Sequence, residues 1–238
     1  ASYYPELKPS DYRFTNFGGN NIMSDSGTLK YIRIEYAGKS IRGVGHFNGL
    51  MLASVGNQTV LENIMISHSA GNSFELVGGE VFLEKAVSYK SHENDFKFNH
   101  GVQAHLYNSL AVRSPYVSNS NGSRCLLVKS FDKKNVNDFN KKGTSVIAQN
   151  ITLINTSSNL KSDIQSGLIN EAILVGEYAA LDISKSVLSG FSPAVILDEQ
   201  IELNQNNLEK IQLTSFVAEY LGLPVLAKYF IKKCLFVS

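Results

Sequence analysis

SFELVGGEVFLEKAVSYKSHENDFKFNHG, residues 73–101, decides how this chain is built. Phe74 in SFELVGG returns as Phe96 in NDFKFNHG, 22 residues later, inside a similar apolar alternation. Successive side chains of a strand point to opposite sides, so Phe74 and Phe96 share one side of their strands while Glu75 and Lys97 share the other. A second register runs in step with the first. Ile64, Val87 and Leu110 follow one another at 23 and 23 residues, at the short end of solenoid periods. Two strands that recur together at 22 to 23 residues describe a coil. Parallel coils stack about 4.8 Å apart, which predicts Phe74 over Phe96 in the interior and Glu75 beside Lys97 on an exposed surface.

Working outward, apolar alternations bounded by glycine, asparagine or serine recur at residues 29–37, 61–70, 81–89, 102–112, 146–155 and 181–188. They read as strands, and the near absence of helical periodicity between them argues against alternating helices and strands. Ile32 and Ile64 are 32 apart, so residues 38–48 should bulge from their coil. The 42 residues from Leu110 to Thr152 should hold two coils, the extra one running through SNGSRCLLVKSF (residues 120–131). The next segment, DKKNVNDFNKKG (residues 132–143), reads as an exposed loop. A solenoid must cover its last coil, and the apolar tail FVAEYLGLPVLAKYFIKKC (residues 216–234), interrupted at Pro224, is read as that cover. The expected architecture is one all-β domain, a single-stranded right-handed parallel β-helix. Residues 1–28 form the N-terminal cap and first coil, 29–215 the coils, and 216–238 the C-terminal cap.

Composition narrows the function. The 22 basic and 21 acidic side chains leave a formal charge of +1, so no global field would draw the chain to nucleic acid. No apolar run approaches the length of a membrane span. Residues 1–10 lack a basic segment followed by an apolar core, so no signal peptide is read there. Cys125 and Cys234 form no zinc-ligand pattern and read as small buried hydrophobes. Gly43-Val44-Gly45 and Gly78-Gly79 are turns, since neither leads into the lysine and hydroxyl of a phosphate loop. Asn63, Asn108 and Asn150 at strand ends read as residues that bond the backbone at bends or stack as short ladders.

Four stretches carry a resemblance: GGNNIMSDSGTLKYIRIEYAG (residues 18–38), NGLMLASVGNQTVLENIMISHSAGNSFELVGGEV (48–81), HENDFKFNHG (92–101) and NSLAVRSP (108–115). Together they resemble bacterial secreted or surface-associated proteins with a pectin-lyase-like β-helix. The resemblance implies a right-handed helix and an extracytoplasmic location, and it lends no activity. Relatives are denser in aspartate across the segment matching residues 92–100, where this chain has Lys97 and Asn99.

β-Helix lyases use calcium and a base. Glu75, Glu93, Asn94 and Asp95 offer oxygens of the kind calcium takes, with His92, Lys97 or Arg113 as the base, but Lys97 beside Glu75 would repel a cation. No cofactor is therefore expected, calcium being the one ion the pattern leaves open. The hydrolase pattern of polygalacturonases is broken twice, at Asn155-Thr156-Ser157 and at Gly45-His46-Phe47, and adjacent aspartates do not occur. The five histidines, His46, His68, His92, His100 and His105, make no i, i+4 metal pair, so neither catalytic nor metal residues are assigned. The candidate ligand-binding set is Glu75, His92, Glu93, Asp95, Lys97, His100 and Tyr107. The expected function is non-catalytic binding of a glycan or a surface protein, the alternative being a polysaccharide lyase or glycoside hydrolase. Tryptophan is absent, and tyrosines would supply the aromatic faces. A recognition face built from Tyr31, Tyr36, Glu75, Lys97 and Tyr107 is expected. Oligomeric state is left open.

Overall fold

The computed structural model describes residues 17–41, 45–118, 122–131, 140–202, 204–219, 225–226 and 235–237. Within them the chain is all-β with two short helices, Leu160–Gln165 and Gln205–Leu208. Seventeen strands join in one sheet whose ladders are parallel. Each coil lays down three faces. On the first, Leu50, Phe74, Phe96, Leu126, Ile173 and Val195 stand on successive rungs. On the second the row is Leu61, Leu83, Leu106, Ala148, Ile183 and Leu213. On the third it is Ile34, Ile66, Ser88, Ala111, Leu153, Leu188 and Ala218. These rows point inward and meet in one hydrophobic core.

Phe74 pairs with Phe96 as the spacing predicts, both fully buried, with ring centroids 5.0 Å apart and planes 11° from parallel. The second register needs a correction of one residue. Met65, not Ile64, pairs with Val87, and Val87 with Leu110. The outward positions of the third face are themselves apolar there, so alternation alone does not separate Ile64 from Met65.

The corner between second and third faces is one residue long. Tyr31, Asn63, Lys85, Asn108, Asn150, Lys185 and Ser215 occupy it in successive coils, all with φ between +50° and +58°. A left-handed residue other than glycine costs about 1–2 kcal/mol, and asparagine bears it best. Asn150 Nδ2 donates to Asn108 Oδ1 at 2.6 Å, a short ladder of the expected kind.

The other two corners absorb variation in length. Residues 38–48 leave the coil as expected, as an antiparallel pair of Ser40–Ile41 with Gly45–His46. The 42-residue interval, however, holds one coil. Leu110 pairs directly with Thr152, while Leu126 stacks on Phe96 and Ser145 on Gln103. Its extra residues lie in the segments before and after Leu126–Val128. Most of the expected loop at 132–143 lies outside the described residues. In the tail, Val225–Leu226 and Leu235–Val237 pair in parallel with Val195–Ile196 and Val217–Glu219, continuing the stack. No helix among the described residues is long and apolar enough to cross a membrane.

Phe74 is fully buried between rungs, so Phe74→Ala is expected to cost about 3 to 5 kcal/mol, measurable as a lowered urea midpoint with unchanged slope.

Candidate functional site

The outer surface of the first face carries Glu75 and Lys97 on adjacent rungs. Their ion pair is close, Nζ to Oε1 2.8 Å, but the expectation of an exposed pair is corrected here: Glu75 is 1% exposed and the Lys97 side chain 16%. Cover comes from the corner just before this face. Asn48 Nδ2 donates to Glu75 Oε2 at 2.5 Å and Asn72 Nδ2 at 3.3 Å. These asparagines belong to a ladder, with Asn72 Nδ2 donating to Asn48 Oδ1 at 2.8 Å and Asn94 Nδ2 to Asn72 Oδ1 at 2.7 Å. Asn94 is thereby committed to the corner.

Asp95 turns inward. It is fully buried, its Oδ2 is 2.7 Å from Arg113 Nη1, and its Oδ1 accepts from Ser88 Oγ at 2.5 Å. Ser88 in turn lies 2.8 Å from Ser73 Oγ. Burial pushes the Asp95 carboxyl above the usual carboxylate range, and Arg113 and Ser88 oppose that shift. The buried Cys125 beside it has its thiol pushed well up, again by burial first. Arg113 Nη1 also donates to the Glu93 carbonyl at 2.9 Å. The internal ion pair therefore fixes the backbone from which Glu93 projects. Asp95 positions the surface and has no solvent-facing atom with which to meet a ligand.

Glu93 is half-buried beside His46, Glu75, His92 and Lys97. Desolvation raises its carboxyl above the ordinary value; Lys97 and then His46 pull it down, Glu75 pushes it up, and His92 lowers it. His46 arrives on the bulged hairpin, where its Nδ1 hydrogen-bonds the Gly38 carbonyl at 2.9 Å, and its ring lies 6.4 Å from that of His92. These two histidines, with His68, Ser69, Ala70, Lys90 and Val117, line a cleft of about 250 Å³. At one wall Tyr36 stacks on His68 at 4.9 Å, and Tyr89 meets the same ring edge-on at 5.6 Å. His68 Nδ1 is buried without a hydrogen-bond partner among the described residues. Lys90 Nζ stands 5.0 Å from the Tyr89 ring centre.

Four of the seven sequence-predicted residues thus come together: Glu75, His92, Glu93 and Lys97. Asp95 lies beneath them. His100 is exposed at the opposite corner of the first face, at φ +54°. Tyr107 faces outward from the second face. The expected single recognition face is corrected accordingly, since Tyr31 sits at the second-to-third corner and Tyr36 at the end of the third face. The sequence reading missed His46, His68 and Lys90 as cleft residues, and it missed the ladder Asn48–Asn72–Asn94. The ladder had a signal, spacings of 24 and 22 residues that match the coil. Among the described residues no three His, Cys, Asp or Glu side chains are grouped to hold a metal ion.

Residues 8–223 match a family model described as a pectate-lyase like beta helix domain. The chain belongs to this pectate-lyase-like β-helix family. Comparison with curated proteins and with solved structures found no match. In this β-helix the cleft lies where the loop between third and first faces varies, and its side chains are mainly imidazoles and one ammonium.

Two outcomes follow from the geometry. Glu75→Ala strips the acceptor from Asn48, Asn72 and Lys97 and should cost about 2 to 3 kcal/mol, the scale of hydrogen bonds to a charged group, read by denaturant titration. Glu93 has a raised pKa in the folded chain, so the native state takes its proton more readily than the unfolded state; its contribution favours folding at acid pH and is lost as pH rises through the folded pKa. Glu93→Gln should therefore be more stable than the parent at pH 8, and the difference should close near pH 4.

Proposed function

We propose that this β-helix binds an acidic glycan in the cleft formed by His46, His68, Lys90 and His92, without breaking it. What carries the reading is the contrast between committed and available groups. Two carboxylates near the cleft are held by internal partners, Asp95 by Arg113 and Glu75 by Lys97, Asn48 and Asn72. The cleft itself is lined by hydrogen-bond donors able to take positive charge, beside tyrosine rings that suit the apolar face of a sugar. Glu35, which accepts from Ser67 on the rung below Tyr36, and Glu93 border this surface and favour a ligand whose acidic groups are spaced rather than continuous.

The proposal includes an extracytoplasmic, secreted or cell-surface location, carried by the resemblance to secreted β-helix proteins, and a coil that winds right-handedly, in keeping with the family matched over residues 8–223. One observation favours the enzymatic alternative. Glu93 is half-buried with a raised carboxyl among His46, His92 and Lys97, a setting in which a carboxyl serves as general acid.

Calorimetry with trigalacturonate and with neutral trisaccharides tests the choice. Binding of the acidic ligand is expected to weaken about tenfold in Lys90→Ala or His92→Ala and to fall with added salt. Incubation with polyuronates, with and without calcium, should give no unsaturated products or new reducing ends. Turnover abolished by Glu93→Gln would replace this reading with the enzyme, and preferential retention of a protein partner over every glycan would replace it with a protein-binding module.

A further inference from the structure

A second concavity lies on another side of the coil, about 510 Å³ in volume and lined by Glu84, Tyr107, Asn108, Gln149, Asn150 and Lys185. Its shape follows from the stacking. Glu84, Tyr107 and Gln149 are outward residues of the second face on successive rungs, and Asn108, Asn150 and Lys185 are the one-residue corners beside them. The short asparagines at the middle corners leave a hollow, which Lys185 closes at one end and Glu84 at the other. Rungs about 4.8 Å apart make this trough roughly 14 Å long from Glu84 to Lys185.

The polar groups divide into those already used and those left over. Asn150 donates to Asn108, and Asn108 donates to Glu84 Oε1 at 3.3 Å, so the ladder fixes the floor. The Tyr107 hydroxyl lies 3.1 Å from His105 Nδ1, and His105 is stacked on Phe82 with centroids 4.2 Å apart, which holds the tyrosine ring at the wall. The Gln149 amide and the Lys185 ammonium have no partner among the described residues, and both reach the trough. One carboxylate faces one ammonium across it, and the nearby Lys85 stands between Glu62 at 2.9 Å and the lining Glu84 at 3.5 Å, so the six lining residues carry one charge of each sign.

We infer that this trough is a separate binding site for a neutral, linear oligosaccharide laid along the coil axis. Carboxylate, amide and ammonium groups match the alternating donors and acceptors of sugar hydroxyls, and a fixed tyrosine ring supplies a face for the C–H side of a pyranose. Balanced charge disfavours an anionic chain here, which separates this site from the histidine cleft. The inference stands on this trough alone and does not depend on what the cleft binds.

The test uses the full chain, with cellotetraose, xylotetraose and mannotetraose as neutral probes and trigalacturonate as the acidic one, followed by calorimetry and by amide chemical-shift changes. At least one neutral tetrasaccharide should bind and shift resonances of the second-face corner. Gln149→Ala and Lys185→Ala, both at solvent-accessible positions, should each weaken that binding about tenfold and leave any response to trigalacturonate unchanged, while Lys90→Ala should leave neutral binding intact. Absence of binding by all three neutral probes, neutral binding indifferent to both trough substitutions, or neutral binding lost in Lys90→Ala would overturn the assignment.

Discussion

Every feature of this molecule depends on one constraint, that each coil must return in register with the coil before it. The tightest expression of that constraint is the corner between second and third faces, where a single left-handed residue turns the chain in seven coils, none of them using glycine. At about 1–2 kcal/mol each, these residues are an expense that only the ladders on either side can offset. Because this corner has no room for insertion, growth is displaced to the other two. There the stack gains the antiparallel hairpin at Ser40–Ile41 and Gly45–His46, the extra residues of the 42-residue coil between Leu110 and Thr152, and the helix Leu160–Gln165. The histidine cleft draws His46 from one of these excursions and Val117 from another, so variable loops furnish it while fixed rungs position it.

A second consequence of stacking is that polar side chains are organised in rows. Asn48, Asn72 and Asn94 pass a hydrogen bond from coil to coil and deliver two amides to Glu75. The interior row of the third face contains Ser88 among apolar neighbours, and that hydroxyl is the contact through which Asp95 enters the core. Burying a carboxylate is expensive unless it is paired and hydrogen-bonded, and here both conditions are met by Arg113 and Ser88. The same Arg113 holds the Glu93 carbonyl, so an interaction inside the coil determines where an outer carboxylate stands.

The fold was legible where like residues recur at inward positions, as with Phe74 and Phe96. It was less legible on the third face, where the outward positions Met65, Val87 and Leu110 are apolar too, and the register slipped by one. Counting residues failed between Leu110 and Thr152 because length was added at corners, where periodicity carries no information. Site residues were harder still. Alternation placed Glu75 outside correctly, but it could not show that amides from the preceding corner cover it. Asp95 sits at the corner ahead of its strand, outside the reach of alternation, whereas Arg113 ends the strand Leu110–Arg113 on the same side as the inward Ala111 and was readable as facing inward. His46, His68 and Lys90 are 22 residues or more from one another or separated by a bulge, so only the closed coil makes them neighbours.

Rungs of similar apolar content face a hazard during folding, since a strand could zip onto the wrong rung with little loss of hydrophobic contact. The Asp95–Arg113 pair distinguishes the right assembly from its near copies. It joins the corner that opens one coil, just before Phe96, to the end of that coil's third face, and a return in the wrong place would separate the charges and leave each buried alone, a penalty of about 3–5 kcal/mol. Such a cost is comparable with the whole margin of stability of many domains. The ion pair thus acts as an index mark in an otherwise repetitive core.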